Sequence, residues 1–459
     1  MIVRIRPFLD TERISASLVN AGDSNIHLVE GFEKAFASYT GVPYAVAVNQ
    51  GRSALLLALK ILGIKHGDEV IVQSYIFHVV IDAILEVGAK PVLVDSGLDD
   101  FNVSPGAIRR EITHRTKAII ATHLGIPCDM EEISGIAKEH NCFLIENCAH
   151  TLGARYDGKS VGTFGDVSFY SFDVDKPIST GDGGMLAINN TCLIEKARQI
   201  VKQYSRTPLE KEREIVSGLL LQHFATSDEF YQEAGFLPVD FGKKAVKNDQ
   251  GLLSAIRSAA ETGAGKDFRE HVLAYLQREK TTGPGTSLLK HIVSRICGRA
   301  TVTFGRVTIP KIDSGDLLMN SLRSAVGLEC LKGFDVARDI RNRNTQCYRD
   351  SLDNSGYGQP RIDGRKEPSF IRYTVLNNTK YENPFISAAA KEKGFELGIF
   401  NWSTPIHLSW PYSKILSFDR ERLRNSEHLG KRLLSLPVHP YVNESTVKKI
   451  AVFLNGLAA

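Results

Sequence analysis

"YAVAVNQGRSALLLALKILGI", Tyr44 to Ile64, is the stretch on which the fold turns. A strand-length apolar run gives way at Asn49-Gln50-Gly51 to an apolar helical run that stops at Gly63. A strand entering a helix through a glycine turn is half of a βαβ unit. The neighbouring text repeats the alternation. "VEGFEKAFASYTG" precedes it with helical spacing and ends on Gly41. "DEVIVQS", "HVVIDAILEVG", "PVLVDS", "KAIIATHL", "MEEISGIAKEHN" and "CFLIEN" follow as strands and helices. Over roughly residues 29–190 this predicts an α/β fold on a mainly parallel sheet. In such a sheet the ligand sits beyond the carboxyl ends of the strands, so the residues after each strand carry the chemistry.

Composition narrows the class. A chain of 459 residues suits two domains with an elaboration, and 43% apolar with 24% charged residues is the profile of a soluble globular protein. A formal charge of +4 is too small for its length to point to nucleic acid, and does not repel an anionic substrate. The first residues, "MIVRIRPFLDTERISASLVN", scatter charge through their apolar positions, unlike a signal peptide. No apolar run approaches the ~18–20 residues a membrane span needs. The seven cysteines are dispersed with no CxxC pair, which argues against a disulfide framework or a zinc site. A cytoplasmic chain with reduced thiols and no metal is expected.

Beyond residue 200 the text changes. Residues 201–312 carry charged helical stretches such as "PLEKEREIVSGLLLQHF" and "KDFREHVLAYLQREK" between glycine-rich pieces, and read as a mostly helical, solvated insertion. Residues 313–459 read as a smaller α+β domain: one helical run, "NSLRSAVGLECLKGFDVARDIRNRNTQCYRDSL", strand candidates "SFIRYTVLN" and "FELGIF", and a closing helix, "NESTVKKIAVFLNGL". Residues 1–200 form the large domain.

The strand ends hold five modest signals. "NQGRSA" offers a glycine turn and a helix N-terminus, with Gly51, Arg52 and Ser53 suited to an anion. Phe77 follows the second strand and suits stacking on a planar ring, or core packing. His123 follows "KAIIAT" and is equally a satisfied polar residue. "ENCAH" brings Glu146, Asn147 and His150 to the rim, and "GDVSFYSF" leads to Ser171 and Lys176. Pyridoxal phosphate would use such a set together: an anion cradle, a stacking aromatic, a partner for the pyridine nitrogen and a lysine.

Read in order, "FEKAFASYTGVPYAVAVNQGRSALLLALKILGIKHGDEVIVQSYIFH", "HLGIPCDM", "IENCAHTLGARYDGKSVGTFGDVSFYSFDVDKPISTGDGG" and "LLSLPVHPYVNESTVKKI" resemble the DegT-type nucleotide-sugar aminotransferases, which are fold-type-I pyridoxal-phosphate enzymes. The likeness covers nearly the whole chain outside roughly 200–312, where family members have a shorter connection. It implies that Lys176 forms the aldimine with pyridoxal 5'-phosphate and shuttles a proton. It also implies that Ser171 and the turn of Gly51, Arg52 and Ser53 hold the phosphate, that Phe77 stacks on the ring, and that Asn147 and His150 lie at the ring nitrogen and ring hydroxyl. The implied reaction moves an amino group from glutamate or glutamine to a nucleotide-linked keto-sugar, in a homodimer that binds neither nucleic acid nor membrane. Trp402 and His407, near "FNWSTPIH", are candidates for substrate contact or for packing.

The chain departs from the family pattern at three places. Asn147 stands where the family has an aspartate that keeps the ring nitrogen protonated. Arg52 stands where a threonine is usual. In "DLLM", Asp316 and Leu318 replace the asparagine and arginine of a stretch that reaches a neighbouring subunit's cofactor. These departures leave two other readings open: a pyridoxal-phosphate lyase or dehydratase, and a non-catalytic binding or regulatory homologue. The family's dehydratases carry histidine in place of the lysine, so Lys176 disfavours that variant.

Overall fold

The structure, a computed structural model, describes residues 2–21, 25–226, 301–304, 307–313, 315–399 and 403–458. Most of the expected insertion, and Trp402, lie outside the described residues.

Strands β1 (Tyr44–Val48), β2 (Glu69–Gln73), β3 (Lys90–Val94), β4 (Thr116–Thr122) and β5 (Phe143–Asn147) appear where the alternation places them. Two short strands, β6 (Arg155–Tyr156) and β7 (Lys159–Ser160), precede β8 (Val167–Ser171) and β9 (Gly184–Ile188). Seven of these form one sheet in the order β1-β9-β8-β5-β4-β2-β3. Strand β9 runs antiparallel to both neighbours, and the remaining pairs are parallel. Parallel pairs need crossovers. Helices α3 (Gly51–Leu62), α4 (Val79–Glu86), α5 (Pro105–Glu111) and α6 (Met130–Glu139) supply them.

Helices cover both faces of this sheet, which is why the middles of its strands are apolar. On one face Leu55, Leu59, Ile81 and Ile84 pack on Val46, Val72, Ile120 and Ile145. On the other, α2 (Ile26–Thr40) sets Phe32 and Phe36 against Tyr170, Phe172 and Met185, with Phe36 edge-on to Tyr170 at a centroid distance of 4.9 Å. Helix α2 ends at Gly41 in the left-handed conformation, its N–H returning to Ala37 O, as the sequence pattern requires.

A second sheet of β12 (Tyr357–Gly358), β14 (Tyr373–Asn377), β15 (Gly398–Ile399) and β16 (Leu433–Leu436), in the order β12-β14-β16-β15, is antiparallel throughout. Tyr348, Tyr373, Val375, Leu434, Leu436, Ile450 and Leu454 join it to the helices Phe334–Ser351 and Glu444–Ala458. Short α5 and strand β16 carry too little periodic text to be legible. The helical run expected over 320–352 breaks at Gly333 into two helices. The first, Ser321–Lys332, lies against α2, where a Cβ on Gly327 would come within 2.5 Å of the Phe32 ring.

Helix α8 (Leu209–Ala225) also packs inward rather than facing solvent: Val216, Leu219, Leu220 and Leu221 are buried in the Phe32–Phe36 core. Its Glu212 is completely buried with Arg323. Arg323 Nε donates to Glu212 Oε1 at 2.6 Å, its second terminal nitrogen to Thr207 Oγ1 at 2.8 Å, and its first to the carbonyls of Asn49 at 2.8 Å and Asp182 at 3.0 Å. One side chain therefore ties α8 to the turns before α3 and β9.

Two outcomes follow from these buried charges. Arg323→Met leaves the Glu212 carboxylate buried without its cation and lowers unfolding free energy by about 3–5 kcal/mol in urea titration, while the double variant with Glu212→Gln recovers most of the loss. Asp82 on α4 is buried and accepts the Tyr412 hydroxyl at 2.5 Å. Burial raises its carboxyl from 3.8 to about 6, against the lowering pull of the Tyr412 hydrogen bond and Arg52. The folded chain then holds a proton that the unfolded chain has released, so this group's contribution to stability falls as pH rises from about 4 to about 6. Asp82→Asn keeps the acceptor for Tyr412 and removes about 2–3 kcal/mol of that slope, measured as unfolding free energy against pH.

Candidate active site

A cleft of about 960 Å³, counted to its open mouth, lies at the carboxyl ends of β1, β2, β4, β5 and β8. Its lining includes Gly51, Arg52, Phe77, Asn147, His150, Ser171 and Lys176. Seven of the eight residues that the resemblance assigns to the cofactor are therefore brought together. Ser53 is the exception: its hydroxyl turns back to Asn49 Oδ1 at 2.6 Å and serves the turn.

The end of the cleft at Gly51 is built by close approach. A Cβ on Gly51 would lie 2.9 Å from Ser171 Cβ, and one on Gly184 would lie 2.8 Å from Gly51 Cα. Two bare glycines thus let the end of β8 touch the start of α3, setting the Ser171 hydroxyl beside a helix N-terminus whose first N–H groups have no helical acceptor. Arg52 adds a cation at the same turn. Phe77 is 37% exposed, unusual for a large apolar ring, and lines the cleft.

Lys176 sits on the loop between β8 and β9. That loop closes on itself through Phe172 N–H to Gly183 O at 2.9 Å and Thr180 N–H to Phe172 O at 2.9 Å. Gly181 takes a φ of 84°, where a Cβ would also strike Ile215 O at 2.8 Å. Arg341 donates to Pro177 O at 3.1 Å, next to the lysine. The amine itself lies 2.9 Å from His150 Nε2 and 3.2 Å from Asp175 Oδ1. Asp175 meets buried Arg372 at 2.5 Å. Burial works to raise the Asp175 carboxyl, but the cations of Lys176 and Arg372 win and hold it well below the usual range. Burial, then the Lys176 and Arg372 charges, pushes His150 well below its ordinary value, so its imidazole is neutral. A neutral ring accepting at Nε2 carries its hydrogen on Nδ1.

The floor is formed by Thr122, His123 and Asn147. Asn147 Oδ1 accepts the Ala149 N–H at 3.2 Å, and Nδ2 faces Thr122 Oγ1 at 3.4 Å. His123 is fully buried; Nδ1 accepts the Cys128 N–H at 2.9 Å, leaving Nε2 3.4 Å from Glu146. Glu146, expected at the rim, points the other way along the alternating strand. It accepts N–H groups of Gly162, Phe164 and Gly165, each at 2.7 Å. His123, Glu146 and Cys148 converge within 4.8 Å. Yet the carboxylate is filled by three amides and burial pushes the Cys148 thiol up, so the trio secures the 162–165 turn instead of offering an ion site.

His407 is not in the cleft lining. Its Nδ1 lies 2.7 Å from Ser74 Oγ and its Nε2 3.2 Å from Glu427, clamping the 405–408 turn on the end of β2. Leu318 is buried in the core. Two residues that back Lys176 escaped the sequence reading. Asp175 was legible as the acid directly before Lys176, whereas its partner Arg372 lies 197 positions away and has no local signature.

The amino-acid pattern of the DegT/DnrJ/EryC1/StrS aminotransferase family matches residues 12–219 and 308–455. GDP-perosamine synthase of Escherichia coli O157:H7 is 46% identical over 169 residues, 37% of this chain and 46% of that protein. The dTDP-3-amino-3,6-dideoxy-alpha-D-galactopyranose transaminase of Aneurinibacillus thermoaerophilus is 45% identical over 170 residues, 37% of this chain and 47% of that one. The matched region thus spans about half the length of these curated relatives. The structure of S. venezuelae DesV superimposes with a TM-score of 0.69 at 22% identity, covering 99% of each chain, a likeness of fold. With two matched segments flanking the insertion and a cleft built from the family's motif residues, the chain belongs to the DegT/DnrJ/EryC1/StrS aminotransferase family.

Proposed function

We propose that the chain is a pyridoxal-phosphate aminotransferase that moves an amino group from glutamate or glutamine to a nucleotide-linked keto-sugar. The observation that carries this reading is the Lys176 amine, inside the cleft and 2.9 Å from a neutral imidazole, with an anion cradle on the same cleft wall. The residues suit the cofactor. The Gly51 and Ser171 approach forms a cradle that a side chain at 51 would fill. Phe77 offers an exposed face beside it.

In this reading Gly51, Arg52 and Ser171 hold the phosphate, Phe77 covers one face of the ring, and Asn147 and His150 meet its nitrogen and hydroxyl. Bound pyridoxal phosphate supplies the aldehyde and an electron-withdrawing ring. Lys176 Nζ would be the nucleophile that anchors the cofactor, and once free it would serve as the general base that takes the proton from the substrate carbon. Asp175 and Arg372 keep the lysine stem aimed at the cleft, and His150 Nε2 offers the amine an acceptor that carries no charge. A cation at Arg52 also suits an anionic substrate. The cytoplasm is the proposed compartment, supported by six unpaired described cysteines, and a homodimer is the proposed assembly. Among the described residues no helix is long and apolar enough to cross a membrane.

Protein incubated with pyridoxal phosphate is expected to show a Schiff-base absorbance band, and borohydride followed by peptide mapping to mark Lys176. Lys176→Ala should lose both, together with amino transfer to a panel of nucleotide-linked keto-sugars. Labelling unchanged in that variant would overturn the reading. Ser171→Ala removes one hydrogen bond to a charged group and should weaken cofactor binding about tenfold or more in equilibrium titration.

A further inference from the structure

We infer that Asn147 holds the ring nitrogen of the bound cofactor in its unprotonated form, by donating a hydrogen bond to it. The inference rests on the proposed cofactor and concerns which proton state this chain's own residues accept.

The orientation of the Asn147 amide follows from chemistry. A backbone N–H can only donate, and that of Ala149 reaches one end of the amide at 3.2 Å, so that end is the oxygen. The other end is therefore Nδ2, a donor with two hydrogens and no lone pair to offer. Nδ2 lies 3.4 Å from Thr122 Oγ1, on the cleft floor. Turning the amide over would set two donors against each other and strip Ala149 of its acceptor, and Asn147 is only 6% exposed, too little for water to compensate. The arrangement is locked.

Among the described residues, the groups around this floor supply no alternative acceptor of the right charge. His123 spends Nδ1 on the Cys128 N–H and turns Nε2 toward Glu146, so it offers the floor no acceptor. The neighbouring carboxylate, Glu146, lies on the far face of β5 and is occupied by three amides. Asp175 is committed to Lys176 and Arg372. Thr122 is neutral and faces the Asn147 amide. A protonated pyridine nitrogen is a cationic donor and needs an acceptor, best an anion. A bare pyridine nitrogen is itself an acceptor. A floor that offers N–H therefore selects the bare nitrogen. The ring then withdraws electrons more weakly, and removal of the substrate proton depends more heavily on Lys176 Nζ.

The test is nitrogen-15 magnetic resonance of the protein loaded with pyridoxal phosphate labelled at the ring nitrogen, beside Asn147→Asp loaded in the same way. Borohydride mapping on both samples establishes that the cofactor sits on Lys176. The wild-type nitrogen should resonate in the range of an unprotonated pyridine, and that of the variant should move to the protonated range. In the variant the half-reaction with glutamate should quicken about tenfold or more, as a neutral contact becomes a charge-assisted one. A protonated nitrogen in the wild type overturns the inference even if the variant does not fold. A nitrogen unprotonated in both, as a merely structural asparagine would leave it, overturns the role given to Asn147. If Lys176 carries no label, the proposed function itself fails, and that result is distinct from a labelled lysine under a protonated ring.

Discussion

The guanidinium of Arg323 is the contact on which the arrangement of the cleft depends. It is fully buried, neutralised by Glu212, and shares its remaining hydrogens among the carbonyls of Asn49 and Asp182 and the hydroxyl of Thr207. A buried pair of this kind is poor evidence for stability by itself, because desolvation offsets much of the attraction. Its value is geometric: a planar fork with fixed donor directions holds the turn before α3 and the turn before β9 in one relation. The Gly51–Ser171 approach is built on that relation.

The second constraint is the row of charges behind Lys176. A lysine at the tip of a loop would ordinarily sweep a wide volume and cost entropy when confined. Here the loop is closed by its own backbone hydrogen bonds, anchored by Arg341, and backed by Asp175, which Arg372 fixes from directly before the strand Tyr373–Asn377. The amine is thus presented in a defined place by groups from both parts of the chain. The depressed His150 follows from the same crowding, since burial and two nearby cations leave no room for a third charge.

The departures from the family pattern are not equal in weight. Arg52 lines the cleft and keeps a positive charge at the anion end. Leu318 has become core, bridged to Val48 and Arg206, so the position has moved from contact to packing. Asn147 alone changes what the floor can offer, because an amide fixed by a backbone N–H shows the cleft hydrogens where a carboxylate would show lone pairs.

Local pattern determined much of this protein. The alternation of apolar runs, with glycine at 41, 51 and 63, specified the strands and helices from α2 to β5 apart from short α5, because each of those signals acts within a few residues. The same text placed Gly51, Phe77, Asn147, His150, Ser171 and Lys176 after strands, and a parallel sheet gathers strand ends on one edge. What the sequence could not decide was direction and partnership. Glu146 and Asn147 are neighbours, yet alternation sends one to a structural turn and the other to the cleft. Ser53 turns away although it lies in the cradle's own motif. Helix α8 reads as solvated because its charges are plentiful, and only packing against Ser321–Lys332 reveals Glu212 as the buried partner of Arg323. Arg372 reaches Asp175 across 197 positions. Such contacts are settled by how the two parts of the chain close on each other, and no local spacing encodes them.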